Sequence, residues 1–193
     1  MASTDPSANT HPTREVLWRC LDTDGVDTCR FWQTPNGWEL SGTALFRLQQ
    51  DIARLDYELR CDADWNSVAA QVSGSVGSTN LDYSLQRRPN GSWELNSTPI
   101  EGVDGLLDID LGFTPATNTN AIRRLDLKEG QMVETTALWL DISDWSCKPL
   151  KQAYQRKSEG VITYVSPQNN YQTDLQVDTF GIVRTYPDLW QAV

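Results

Sequence analysis

Residues 44–61 read ALFRLQQDIARLDYELRC, and two periods compete for them. Ala44, Leu48, Ile52, Leu55 and Leu59 recur at helical spacing among good helix formers, so local propensity predicts a helix over residues 45–55. Leu55, Tyr57, Leu59 and Cys61 also alternate strictly with Asp56, Glu58 and Arg60, the pattern of a half-buried strand. Both readings remain open on local grounds.

Outside this stretch the two-residue period dominates. Val16, Trp18 and Cys20 share one strand face, with Leu17, Arg19 and Leu21 on the other. Pro35-Asn36-Gly37 is a turn signal, because Pro presets the entry and Asn and Gly tolerate positive φ. Val68, Ala70 and Val72 alternate with polar or small residues, as do Leu81, Tyr83 and Leu85. A hairpin turn at Pro89-Asn90-Gly91-Ser92 leads to Trp93 and Leu95. Val133, Thr135, Ala137 and Trp139 form a further strand face. Ser158-Glu159-Gly160 separates strands predicted over 150–156 and 161–165, and a turn at 178–181 returns into 182–186. Turns recurring at intervals of about ten residues predict an antiparallel meander curved into a barrel, half-barrel or sandwich. Only residues 117–127 offer a helix of their own, with Thr117 or Thr119 as N-cap and Ile122 and Leu125 on one face. Residues 1–13, polar and without periodicity, read as a disordered leader, and 14–193 as one domain.

Composition narrows the function. The 193 residues hold 16 Lys and Arg against 26 Asp and Glu, a net charge of −10. That disfavours nucleic-acid binding and adsorption on anionic lipid, both of which need clustered cations. The single histidine, His11, lies in the leader, so a Ser-His-Asp or Cys-His arrangement and a three-His zinc site have no imidazole in the fold. Cys20, Cys29, Cys61 and Cys147 lack the CxxC spacing of zinc knuckles and read as small buried hydrophobes, and neither metal nor cofactor is expected. The polar leader does not read as a secretory signal, and no apolar run approaches the roughly 18 residues of a membrane span. A soluble cytoplasmic protein with reduced thiols is the expectation.

Three clusters could carry chemistry. In Leu107-Asp108-Ile109-Asp110-Leu111 the two carboxylates share a strand face, their Cα atoms roughly 6.5–7 Å apart. Such a pair repels unless solvated, paired or bound to something, and a solvent-facing pair is the plain reading of an arbitrary DxD. The run that follows, with Thr117, Asn118, Thr119, Asn120, Arg123 and Arg124, favours a polar pocket in which one arginine balances an aspartate. In the second cluster, Arg60-Cys61-Asp62-Ala63-Asp64-Trp65, a carboxylate beside an indole suits a sugar, and equally suits a strand end with Asp in the turn and Trp in the core. The third, Tyr186-Pro187-Asp188-Leu189-Trp190, reads first as C-terminal docking by aromatic packing.

Together these segments resemble a known family. Leu107–Leu111, Thr114-Pro115-Ala116-Thr117-Asn118-Thr119 and Ile122-Arg123-Arg124-Leu125 look like the signature of the glycolipid-binding family long classed as a domain of unknown function. Val16-Leu17-Trp18-Arg19, the 60–65 cluster, Val177-Asp178, Gly181-Ile182-Val183 and the 186–190 ending match in order, so the likeness spans about residues 15–190. The chain departs from the pattern at Ala116, where the family carries an aromatic, and at Asn120-Ala121, where it carries Leu-Pro.

The resemblance implies a mostly β fold, a large curved antiparallel sheet of half-barrel form wrapped around a single α-helix, assembled as a homodimer. It implies a remote similarity to the bacterial lipoprotein-localisation factors, and an acidic pocket for the sugar of a glycolipid. It also turns residues 44–61 into strand, against local propensity.

Four functions compete. The favoured one is non-catalytic binding of a glycolipid or related amphiphile, with a role in glycolipid metabolism. Asp62, Asp108 and Asp110 would accept hydroxyl hydrogens, Trp65 or Tyr186 would cover the ring, and Thr117, Asn118, Arg123 and Arg124 would complete the site. The alternative is a glycoside hydrolase, whose paired carboxylates sit about 5–5.5 Å apart when retaining or 6.5–9.5 Å when inverting. A DxD metal site for a nucleotide-sugar would need a nucleotide fold, and no Gly-rich strand-to-helix turn is present. A ligand-free structural dimer is the fourth.

Overall fold

A computed structural model describes residues 13–193. The leader and His11 therefore fall, but for residue 13, outside the described residues. Eight strands come first: β1 (Arg14–Cys20), β2 (Gly25–Thr34), β3 (Gly37–Leu48), β4 (Asp51–Cys61), β5 (Ser67–Val76), β6 (Thr79–Arg87), β7 (Trp93–Leu95) and β8 (Thr98–Pro99). Then come β9 (Asp108–Leu111), a 3₁₀ turn (Pro115–Thr117) and α1 (Asn118–Leu125). Six strands complete the chain: β10 (Met132–Asp141), β11 (Ser146–Ser158), β12 (Val161–Ser166), β13 (Tyr171–Val177), β14 (Val183–Tyr186) and β15 (Trp190–Ala192).

These strands form one curved sheet of fifteen, in the order β8 through β1, then β15 down to β9. Two meanders are joined where β1 pairs antiparallel with β15, Trp18 opposite Ala192 and Cys20 opposite Trp190. The Trp18 indole, fully buried, fastens the seam by donating from Nε1 to Val183 O at 2.6 Å. β9 departs from the antiparallel rule and runs parallel to β10. The β9 end of the sheet comes round to β5: Ser67 N–H donates to Leu107 O at 2.8 Å, and Ile109 N–H donates to Ser67 Oγ at 3.1 Å.

The helix that local propensity predicts over 45–55 is not formed. Residues 44–61 are the end of β3, a two-residue turn and the whole of β4. Gln49 takes φ 57°, the left-handed conformation a tight hairpin turn requires. Phe46 faces Ala53, Ala44 faces Leu55 and Leu40 faces Leu59, all inward, while Leu45 and Ile52 are 45% and 47% exposed. The period of two prevails because β3 and β4 also pair along their lengths with β2 and β5. No isolated helix could satisfy those ladders. Gly42 in β3 leaves room for the Tyr57 ring: a Cβ there would stand 2.4 Å from the phenol and 2.2 Å from Thr28 O.

The helix predicted over 117–127 is real but shorter. Thr117 is its N-cap residue, as one of the two expected, but makes no side-chain capping bond; Thr114 caps the preceding 3₁₀ turn, accepting from Ala116 N–H at 3.0 Å ahead of Pro115. The helix ends at Asp126, whose φ of 41° is the left-handed exit common at helix C-termini. Three cysteines, Cys20, Cys29 and Cys61, are buried and Cys147 is half-buried, all as free thiols. Among the described residues no helix is long and apolar enough to cross a membrane.

Candidate functional site

The 3₁₀ turn and α1 pack against the core, their side chains bonding to the second meander while the Thr114 cap reaches Asp27 and Tyr57 of the first. The face they bury is polar: Thr117, Asn118, Thr119 and Asn120 are all buried. Thr117 Oγ1 accepts from Leu111 N–H at 3.3 Å, and Asn118 Nδ2 donates to the Tyr154 hydroxyl at 3.1 Å. Thr119 Oγ1 and both amide atoms of Asn120 have no hydrogen-bond partner among the described residues. Unpaired buried groups of this kind are uncommon and costly.

β9 and the C-terminal half of β10 are largely buried on both faces. Ile109, Leu111, Leu138 and Leu140 join the apolar core. Asp108 and Asp110 share the opposite face, as strand alternation requires, and their surroundings separate them. Asp108, 1% exposed, is held by Arg124 through a fork: Nε donates to Oδ1 at 2.8 Å and Nη2 to Oδ2 at 2.5 Å. Thr135 Oγ1 donates to Oδ2 at 3.2 Å. Bonding to Asp108 holds Arg124 charged, against the penalty of burial.

Asp110 pairs with no cation among the described residues. Its Oδ2 accepts from Gln152 Nε2 at 2.6 Å, and Oδ1 takes no hydrogen bond from the described residues. Burial pushes this carboxyl up to about 6, with Gln152 opposing the rise and the Asp108 charge adding to it. Gln152 also donates to the Tyr164 hydroxyl at 3.1 Å and accepts from Tyr154 at 3.4 Å. A hydrogen-bonded chain thus runs from Asp110 through Gln152 and Tyr154 to Asn118. It borders a cavity of about 140 Å³, walled by Tyr164, Tyr186, Trp139 and Trp190, with Asn118 at its helical side. A carboxylate edge beside aromatic faces can accept sugar hydroxyls and cover ring C–H groups.

A larger cleft, about 1090 Å³, opens beyond the other end of α1. Trp38 and Trp65 stack there at 4.5 Å, and the Arg123 guanidinium lies 5.3 Å from the Trp65 ring and 4.7 Å from that of Phe180. Trp65 takes φ 66°, a strained conformation for a bulky residue.

The expected site residues therefore divide. Asp110, Asn118 and Tyr186 meet at the small cavity, whereas Arg124, locked to Asp108, lines the larger cleft. Trp65 and Arg123 belong to the larger cleft. Thr117 ties the 3₁₀ turn to β9. Asp62 closes its own turn, Oδ1 accepting from the Asp64 and Asn66 N–H groups and Oδ2 from Asn66 Nδ2. Asp108 and Asp110 are not an equivalent carboxylate pair, since Arg124 and Thr135 bond to Asp108 and Gln152 to Asp110. Among the described residues no His, Cys, Asp and Glu cluster has the arrangement of a metal site.

Gln152, Tyr154 and Tyr164 complete the network and stand out little in the sequence. Asp27 does carry a signal, because it falls on the face shared by Cys29 and Phe31. It is fully buried, accepts from Tyr57 at 3.0 and 3.1 Å and from Thr114, and burial pushes its carboxyl up to about 7.

A DUF1089 family protein from Pseudomonas aeruginosa has a similar solved structure, with a TM-score of 0.71, 27% identity and 100% of each chain covered. No curated protein matches the sequence. The model of the family described as "Putative glycolipid-binding" matches residues 15–192, nearly the whole chain, and the protein belongs to that family.

Proposed function

We propose that the protein binds a glycolipid or related amphiphile without transforming it, with the sugar at the Asp110 cavity and the acyl chain against the apolar side of the curved sheet. The observation that carries this reading is a half-buried carboxylate with one oxygen held by Gln152, its other oxygen free of bonds from the described residues, at a cavity walled by Tyr164, Tyr186, Trp139 and Trp190. Family membership supports the ligand class.

Titration with monomeric octyl and decyl β-glucosides, read by tryptophan fluorescence, tests it. Two further methylenes should tighten binding about tenfold, at roughly 0.8 kcal/mol each. Asp110→Asn should weaken both ligands by about tenfold, the loss of a charge-assisted hydrogen bond. Free glucose binding as tightly as decyl glucoside would remove the lipid from the proposal. No response to any of the three would remove the sugar site. Release of glucose on incubation would make the protein a hydrolase instead.

We further propose a homodimer. Val26 and Leu45, cross-strand neighbours on the outer face, are 39% and 45% exposed, and Leu17 and Ile52 add apolar area on β1 and β4. Pairing through such a face, or across an open sheet edge, would cover it. Light scattering at micromolar concentration should give twice the chain mass, and a monomer mass would refute the dimer.

A further inference from the structure

The cleft at the C-terminal end of α1 holds an arginine in an unusual position. Arg123 forms no ion pair among the described residues, although the chain has 26 acidic against 16 basic residues. Its Nη1 donates to Phe180 O at 3.3 Å, and its Nε is buried with no partner among the described residues. A second guanidinium, Arg14, lies 4.1 Å from the same Phe180 ring. Burial disfavours the Arg123 charge, Asp126 favours it from beyond ion-pair distance, and Arg14 opposes it. Arg156 lines the same cleft, its Nε spent on Leu127 O at 2.6 Å.

Of the carboxylates that line the cleft, one is committed to other partners and three are exposed, and none pairs with Arg123 among the described residues. Asp178 Oδ1 accepts from the Phe180, Gly181 and Ile182 N–H groups, and its Oδ2 pairs with Arg184 at 2.8 Å. Asp64, Asp126 and Glu159 line the rim and are exposed. An arginine partly desolvated against aromatic rings, with an N–H unused and no carboxylate bonded to it among the described residues, is poised for an anion.

We propose that this cleft is an oxyanion subsite, in which Arg123, aided by Arg156, takes a phosphate, sulfate or carboxylate group, with Trp38 and Trp65 forming its aromatic floor. The site is separate from the Asp110 cavity, at the opposite end of α1, and does not depend on the sugar reading. The oxyanion could belong to an amphiphile's headgroup or arrive as a free ion. The size of the cleft, about 1090 Å³, accommodates either.

Three probes at monomeric concentration separate these sources: inorganic phosphate, dioctanoyl phosphatidic acid and zwitterionic dioctanoyl phosphatidylcholine. Tryptophan fluorescence is the readout, since Trp65 lies beside Arg123. Phosphatidic acid should bind at least about tenfold tighter than phosphatidylcholine, and the preference should shrink as salt rises. Arg123→Gln should bring the preference below about threefold, and Arg156→Gln should reduce it in part. Inorganic phosphate matching phosphatidic acid would support the subsite with a free ion as its occupant, and weaker phosphate binding would support a headgroup. Equal binding of the two lipids with no response to phosphate would overturn the proposal in the wild-type protein, whatever the variants do. A preference left intact in both arginine variants would also overturn it. A glucoside response that is absent while the phosphatidic acid response persists would remove the Asp110 reading alone.

Discussion

Asp108→Asn is expected to destabilise the protein by roughly 3–5 kcal/mol at neutral pH, the usual cost of leaving one member of a buried ion pair uncompensated. The Asp108 side chain is 2% exposed and that of Arg124 is 15% exposed, so solvent screens the pair little. Both carboxylate oxygens are used, and the guanidinium fork fastens α1 to β9. An asparagine keeps one acceptor and places an amide N–H against the Arg124 cation. Arg124→Gln should cost a similar amount, because a lone carboxylate is then buried beside Thr135. The double variant should lose clearly less than the sum of the two, since neither charge is stranded. Urea denaturation of the three variants measures all of this. A change within about 0.5 kcal/mol for Asp108→Asn would show that the pair is solvated and does not anchor the helix.

Stability is expected to fall as pH rises from about 4 to about 7, with Asp27 as the main cause. Its folded carboxyl titrates near 7, whereas an unfolded aspartate titrates near about 3.9. The folded state therefore holds a proton that the unfolded state releases first. The contribution is complete below the unfolded value, declines across the window, and is gone above the folded one. Three units of separation correspond to on the order of 4 kcal/mol. Asp110, pushed up to about 6, acts in the same direction over a narrower range. Tyr57 and Cys29, which face Asp27, are themselves pushed upward by burial and remain neutral throughout. Asp27→Asn cannot ionise and should flatten most of the decline, leaving the variant at least as stable as wild type at pH 8. Urea midpoints at pH 4.5, 6 and 7.5 test this. An equally steep decline in the variant would assign the effect elsewhere.

Much of the architecture was legible because strand alternation is a local property. Val16, Trp18 and Cys20 could be placed on one strand face from their spacing alone, a face that the structure buries, and the turns at Pro35–Gly37 and Pro89–Ser92 could be placed from their chemistry. The 107–111 segment showed two carboxylates on one face and leucine and isoleucine on the other, and β9 keeps that division. The polar run after it announced α1 and its N-cap position at Thr117, though not the 3₁₀ turn capped by Thr114 ahead of it.

What the sequence by itself determined was an acidic β protein with one short polar helix and a DxD strand leading into it. Residues 44–61 needed the tertiary structure, because helix propensity is counted within a segment, whereas pairing with β2 and β5 is supplied from outside it. The site needed it too. Asp108 and Asp110 are two residues apart and look equivalent in sequence, yet one meets Arg124 and the other meets Gln152, a residue forty-two positions away. Burial and long-range partners decide which carboxylate is neutralised by a cation and which is left facing a cavity, and neither is written in the local pattern. The separation of Arg123 from Arg124 has the same origin: adjacent on a helix, they point about 100° apart, one toward β9 and one toward the aromatic cleft.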